Sequence, residues 1–429
     1  MIIDSVSSIF GQIKVPGDKS ISHRAVMFGA LAKGTTVIEN FLESADCLST
    51  IRCFSNLGIS VENDPQKGHV LVHGNGLNGL HAPANSLDVG NSGTTMRLIA
   101  GILCGQPFDS ILTGDASIVR RPMNRIIQPL TQMGGNINSQ LENGCAPLLI
   151  KKTNSSLHGI CYHSPVASAQ VKSCILLAGM YAEGKTSVIE PYISRNHTEL
   201  MLRQFGAEIT CENTTVTITP NPILTACKIQ VPGDISSAAY FIAAAAILPN
   251  SELVIEEVGV NPTRDGILKV CEKMGVNYRL EEVNQEGGEV FCNIRVHSSK
   301  MHGCVIEGEM IPTLIDELPV IAVMACFAEG ETIIRDAKEL KVKESNRIDA
   351  VVNFLSEMGA DISATEDGMK IVGGSSLHGI TMQSQKDHRI AMSAAVAGLA
   401  AKGSTNILDA DCVTISYPSF FQDLSRLCH

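Results

Sequence analysis

The chain has no tryptophan, 4% aromatic residues and only 18% charged residues in 429 positions. Positive charge is the scarcer sign: 33 Lys and Arg stand against 44 Asp and Glu, a formal net charge of −11. Nucleic acid and acidic membrane surfaces are held by net basic faces, so neither is expected as a partner. With 44% hydrophobic residues, the scarcity of charge also excludes a disordered chain or a charge-laced coiled coil. No apolar run approaches the ~20 residues that span a bilayer. The longest are 240–248 and 321–328, and no cation precedes Lys14 as a secretory signal would require. The 14 cysteines form no C-x-x-C pair and read as reduced thiols of a cytoplasmic protein. The 12 histidines show no H-E-x-x-H, so no metal is expected. No G-x-G-x-x-G after a strand and no Walker-type G-K-[ST] is read here, so nucleotide cofactors are not expected either.

What the chain does have is repetition. Val15-Pro16-Gly17-Asp18 recurs as Val231-Pro232-Gly233-Asp234, and each copy precedes a serine and a helix of small residues. Within each half a coarser unit recurs: an Ala/Leu/Met-rich helix, a Gly stop, a β-branched strand, an amphipathic helix, another Gly and a further strand. Glycines at 58, 134, 206, 275 and 359 close the second helices, as C-cap glycines do. Units two, four and six start near Thr94, Ser236 and His388. Six α/β units of about seventy residues imply two similar lobes, with an open solenoid as the alternative. If each V-P-G-D strand crosses between lobes, residues 19–233 form the first, and 1–18 with 234–429 the second. Two crossings suit a hinge that closes over a ligand.

The few cations recur where unit helices begin: Lys19 and Arg24, Arg97, Lys172, Lys343 and Arg347, Arg389. Others fall in loops, at Arg120, Arg121, Arg125 and Arg195. A helix N-terminus offers unpaired N–H groups and roughly half a positive charge, and Ser, Thr, Asn or Gly there lets an anion approach. Singly, such a string is most often a capping turn and such an Arg a solvated charge. Repeated in an acidic protein, they point to a small substrate with several anionic groups. Asp316-Glu317 and Glu344, beside Lys343 and Arg347, are acid/base candidates or salt-bridge partners. His23 and His388 read equally as caps, core residues or ligand contacts.

Eight strings in order carry a resemblance that covers essentially the whole chain. They are G-D-K-S-I-S-H-R at 17–24, G-N-S-G-T-T-M-R at 90–97, R-R-P-M at 120–123, S-A-Q-V-K at 168–172, R-N-H-T-E at 195–199, D-E-L-P at 316–319, K-V-K-E-S-N-R at 341–347 and D-H-R-I-A-M at 387–392. The chain resembles the 5-enolpyruvylshikimate-3-phosphate synthase (3-phosphoshikimate 1-carboxyvinyltransferase) family. The resemblance implies a two-lobed inside-out α/β barrel of six βαβαββ repeats, three per lobe, joined by two crossover strands. It implies transfer of the enolpyruvyl group of phosphoenolpyruvate to the 5-hydroxyl of shikimate 3-phosphate, with release of phosphate, by a cytoplasmic monomer without metal or organic cofactor. Carried over, Lys19, Ser20, Arg24, Ser168, Ala169 and Arg195 contact shikimate 3-phosphate. Asn91, Gly93, Arg121 and Gln170 line the phosphoenolpyruvate phosphate, and Arg347 and Arg389 its carboxylate. Thr94, Lys343 and His388 complete the substrate-binding set. Asp316 takes the proton from the 5-hydroxyl, Glu344 protonates the methylene carbon, and Lys19 shares in the proton traffic.

Departures from the family pattern fall at Lys341, where many members have Arg, at Glu339, where some have a substrate-binding Asn, and at Ile415, where some have Lys. Gly93 keeps the small residue that goes with glyphosate sensitivity, whereas S-A-Q-V-K and R-N-H-T-E resemble the class that includes tolerant enzymes. Two rivals remain. The related UDP-N-acetylglucosamine enolpyruvyl transferase usually has a reactive Cys before its R-P, and no Cys lies between Cys104 and Cys145. A non-catalytic anion-binding repeat protein would need the cations but neither Asp316 nor Glu344.

Overall fold

The structure, a computed structural model, describes residues 1–65 and 68–428. The chain divides into two compact units. The first comprises Gly17–Val231 with Glu286–Glu289; the second comprises Met1–Pro16, Pro232–Gln285 and Val290–His429. The passages Pro16–Gly17 and Val231–Pro232 both fall inside the repeated V-P-G-D string.

Each unit is an α/β body of three repeats. In the middle repeat of the first unit, strand Leu87–Asp88 leads to helix Gly93–Cys104, strand Ser110–Thr113, helix Asn124–Gln132 and strands Asn136–Ser139 and Leu148–Lys151. Leu87–Asp88 lies parallel to Ser110–Thr113, and the last two strands add antiparallel. The repeat that follows has the same order, from strand Cys161–His163 through helix Ala169–Gly179 to strand Thr215–Ile218. So does the sheet formed around Glu331–Ile334 in the second unit.

The opening repeat of each unit takes its first strand from elsewhere in the chain. Lys228–Gln230 lies parallel to Lys33–Glu39 in the first unit. Phe10–Lys14 lies parallel to Glu252–Gly259 in the second, with Phe10 opposite Glu252 and Lys14 opposite Glu256.

One helix of each repeat is buried almost all round: Lys19–Leu31, Gly93–Cys104 and Ala169–Gly179 in the first unit, and Ile235–Ile247, Leu318–Phe327 and His388–Ala400 in the second. Their apolar residues run around the whole helix rather than along one stripe, which is the pattern of a helix with packing on every side. Small residues permit the approach. A Cβ on Gly101 would lie 2.2 Å from the Cys174 carbonyl oxygen, so helices Gly93–Cys104 and Ala169–Gly179 cross there only with glycine. The strands cover this helical core with alternate residues, as in Glu331–Ile334, and leave the others to solvent. All 14 cysteines are free thiols. Among the described residues no single helix is long and apolar enough to cross a membrane.

Candidate active site

In the first unit, hydrogen bonds tie together the N-terminal ends of the three central helices. Asp18 caps helix Lys19–Leu31 by accepting the Ile21 N–H at 2.9 Å, and Ser92 caps Gly93–Cys104 through the Thr95 N–H at 3.1 Å. His23 Nδ1 lies 2.7 Å from Thr50 Oγ1, which meets Thr95 Oγ1 at 2.8 Å and so links these two helices. Gln170 reaches across from the third helix: its Nε2 donates to Thr94 Oγ1 at 3.1 Å and its Oε1 accepts from Arg97. Arg24 donates to Ser173 Oγ and to the Ser20 carbonyl, each at 3.0 Å, and to Thr198 Oγ1 at 2.7 Å. Three positive helix ends therefore share one neighbourhood with these side chains.

Burial and the nearby Lys19 and Arg24 hold the His23 pKa well below its ordinary value, so its ring is neutral at pH 7. Burial also pushes the Arg24 pKa down to about 10, against the pull of Glu199 and Asp18. Lys19 pairs with Asp46, a partner absent from the sequence reading. Arg121 donates to Asn91 Oδ1 at 2.5 Å, and Asn91 in turn donates to Asp115 Oδ2 at 2.7 Å. A Cβ on Gly93 would lie 3.1 Å from Arg97 NH1 and 3.4 Å from Arg121 NH1, so the bare glycine gives both guanidinium groups their room. Ser168 opens helix Ala169–Gly179 without turning its hydroxyl onto that helix.

The second unit gathers Asp316, Lys343, Glu344, Arg347 and Arg389. Asp316 Oδ1 lies 3.2 Å from Lys343 Nζ, 3.2 Å from Arg347 NH1 and 3.9 Å from Arg389 Nε. Arg347, with a side chain 1% exposed, also donates to Glu344 Oε2 at 2.5 Å and to Asp387 Oδ2 at 2.8 Å. Arg389 NH1 donates to the Asp316 carbonyl at 3.1 Å. Burial would strip Arg347 and Arg389 of charge, but the surrounding carboxylates outweigh it and raise both pKa values. Asp387 is fully buried, and Arg347 overcomes that burial to hold its carboxyl below the usual range. Its Oδ1 accepts the Arg389 N–H at 2.9 Å and so caps helix His388–Ala400. Glu317 is buried and accepts from Ser236, joining helix Ile235–Ile247 to Leu318–Phe327.

Two features differ from the sequence reading. Lys172, grouped with the cations that open helices toward an anion, is 1% exposed and lies between Glu190 and Glu199. Two nucleotide-loop strings do occur, and their settings disqualify them. Gly74–Gly79 reads G-x-G-x-x-G after strand His69–Asn75, yet no helix follows before Leu87. Gly179–Thr186 reads G-x-x-x-x-G-K-T, but it closes a helix and leads into strand Thr186–Ile189, so no helix N-terminus faces it. Sequence reasoning also passed over Asp46, Asp115, Thr198, Ser173 and Asp387. Of these only Asp387, directly before a helix, carried a legible signal as a cap.

Comparison with known proteins shows the family. The family model for EPSP synthase (3-phosphoshikimate 1-carboxyvinyltransferase) matches residues 3–424. A curated 3-phosphoshikimate 1-carboxyvinyltransferase of Bacillus thuringiensis subsp. konkukian is 55% identical over 417 residues, 97% of this chain and 96% of its own. One from Bacillus thuringiensis strain Al Hakam is 55% identical over 427 residues, 99% of each. A solved EPSP synthase from Acinetobacter baumannii superposes with a TM-score of 0.88 at 44% identity, covering 100% of this chain and 97% of its own. On its sequence, its two α/β units and these relatives, the chain belongs to the EPSP synthase family.

Proposed function

We propose that the protein transfers the enolpyruvyl group of phosphoenolpyruvate to the 5-hydroxyl of shikimate 3-phosphate and releases phosphate. The observation that carries this is the 55% identity to curated 3-phosphoshikimate 1-carboxyvinyltransferases across 97% of the chain. The chemistry of the two clusters agrees with it. Both substrates are small polyanions, and several basic side chains of this acidic protein lie at helix starts, with Arg121 and Arg195 in loops.

Shikimate 3-phosphate is held by Lys19, Ser20, Arg24, Ser168, Ala169 and Arg195. The uncommitted Ser168 hydroxyl and the open start of its helix suit a phosphate. The phosphate of phosphoenolpyruvate meets Asn91, Gly93, Arg121 and Gln170, and its carboxylate meets Arg347 and Arg389. Thr94, Lys343 and His388 belong to the same substrate-binding set. Asp316 accepts the 5-hydroxyl proton as that oxygen bonds to C2 of phosphoenolpyruvate, and Glu344 delivers a proton to C3. The tetrahedral intermediate then loses a C3 proton and the phosphate together, with Lys19 taking part in the proton traffic. Such acid–base groups each contribute ~10²–10⁴-fold. The protein acts as a cytoplasmic monomer, a setting that fits 14 free thiols.

The test is phosphate release from phosphoenolpyruvate by the purified protein. Release that requires shikimate 3-phosphate supports the reading. Release driven by UDP-N-acetylglucosamine, or with neither acceptor, overturns it.

A further inference from the structure

The most heavily buried ionic group of the first unit lies outside the residues assigned above. Lys172 Nζ lies 2.7 Å from Glu199 Oε1, 3.0 Å from Glu190 Oε2 and 3.3 Å from the Ser194 carbonyl, with all three charged side chains 2% exposed. Glu190 accepts at both ends. Its Oε1 takes the Ser168 backbone N–H at 2.9 Å, while Oε2 takes Lys172 and the Ser194 hydroxyl at 2.8 Å. Thr198, the neighbour of Glu199, accepts from Arg24 Nε at 2.7 Å. One ion triad thus fastens the turn that ends in Ser168, the loop that runs from Glu190 to Arg195, and the helix start that braces Arg24.

We propose that Lys172, Glu190 and Glu199 are positioning residues that fix Ser168, Arg195 and Arg24 in the geometry that receives the phosphate of shikimate 3-phosphate. This rests on the function proposed above. A buried lysine with two carboxylates is locked, because removing any one partner leaves an uncompensated charge in a buried site. Burial lowers the lysine pKa, but Glu199 and Glu190 outweigh it and keep the ammonium charged. An amide at position 190 cannot reproduce the clip. It has a single acceptor end, so either the Ser168 N–H loses its acceptor or an NH₂ group faces the Lys172 ammonium.

Glu190→Gln is therefore the discriminating change, because it preserves volume and removes one acceptor. Steady-state phosphate release and calorimetric binding of shikimate 3-phosphate should be measured on the full chain, with thermal unfolding recorded beside them. Glu190→Gln should weaken shikimate 3-phosphate binding and raise its KM by about tenfold, since small misplacements of anchoring groups cost at least that much. The KM for phosphoenolpyruvate should rise less, because Asn91 and Arg121 are not tied to the triad and only Gln170 shares the helix it fastens, and kcat should stay within about threefold. Lys172→Met should show the same selective split. A folded Glu190→Gln protein with unchanged shikimate 3-phosphate affinity would overturn the positioning role, as would an equal rise in both KM values. Wild-type protein that fails to bind shikimate 3-phosphate would overturn the functional reading itself, a distinct result.

Discussion

Replacing Asp387 by Asn takes one negative charge from a fully buried site and turns one acceptor into a donor. The two carboxylate oxygens of Asp387 receive Arg347 Nε at 2.8 Å, Arg347 NH2 at 3.2 Å, Ser345 Oγ at 3.0 Å and the Arg389 N–H at 2.9 Å. In either orientation an asparagine NH₂ faces the Arg347 guanidinium. Breaking a buried ion pair costs about 3–5 kcal/mol. Arg347 keeps Glu344 and Asp316, so the lower figure of about 3 kcal/mol applies. For a cooperative unit of about 200 residues that lowers Tm by roughly 6–12 °C. Differential scanning calorimetry reads this directly, and phosphate release should record a rise of about tenfold or more in the KM for phosphoenolpyruvate, equivalent to ~1.4 kcal/mol. Because the folded pKa of Asp387 is depressed, its contribution is complete above the unfolded carboxyl value near ~4 and lost as the pH falls through the folded value. Asp387→Asn should therefore lose stability at neutral pH and lack that part of the wild-type acid limb. The exposed pair Lys370–Glu331, with side chains 49% and 41% exposed, is the contrast. Lys370→Met should shift stability by no more than about 0.5 kcal/mol. If Asp387→Asn melts within a degree or two of wild type and keeps its KM, the reasoning fails.

Three further outcomes can be checked with the same assays. His23 is buried and neutral, so below its unfolded pKa of about 6.5 the unfolded chain binds the extra proton and stability falls by up to ~1.4 kcal/mol per pH unit. Denaturant titrations at pH 7 and 5 should show wild type losing about 2 kcal/mol more than His23→Asn, and parallel losses would refute this. Gly93→Ala sets a methyl 3.1 Å from Arg97 NH1 and should displace that guanidinium by a few tenths of an ångström. The KM for phosphoenolpyruvate should rise about tenfold while Tm holds or rises slightly, because Ala at a compatible helical position stabilises by ~0.4–1 kcal/mol. A lower Tm with unchanged KM would contradict it. Gly101→Ala drives a Cβ to 2.2 Å from the Cys174 carbonyl and should destabilise by about 3 kcal/mol, and a wild-type melting curve would rule that out.

Much of this architecture is legible in the letters because it depends on local rules. Gly58, Gly134, Gly206 and Gly359 all have positive φ at the ends of helices, where glycine adopts the left-handed conformation without strain. Asp18, Asp234, Ser92 and Asp387 stand where helices begin because each cap bond closes over two or three residues. The partners of the cations obey no such local rule. Asp46 meets Lys19 from 27 residues away, and Arg347 meets Asp387 from 40. Lys172 and Arg97 follow the serine that opens their helix by four and five residues, little more than one helical turn. The sequence alone does not distinguish the cation that meets two distant carboxylates from the one that meets Gln170.

The borrowed strands impose an order on folding. Apart from the short segment Glu286–Glu289, the described strands of the first unit have all been synthesised once Gln230 leaves the ribosome, and Lys228–Gln230 then completes its opening sheet. The second unit must wait with its earliest piece in hand. Ile9 N–H donates to Ser251 Oγ across 242 residues, and Phe10–Lys14 has no parallel partner until Glu252–Gly259 appears. At ~5–20 residues per second, that strand remains an unpaired edge for roughly 10–50 s of synthesis. Its edge groups are then open to other strands, and closing so long a loop is slow. Strand Phe10–Lys14 is thus a stretch in need of protection while the protein is being made.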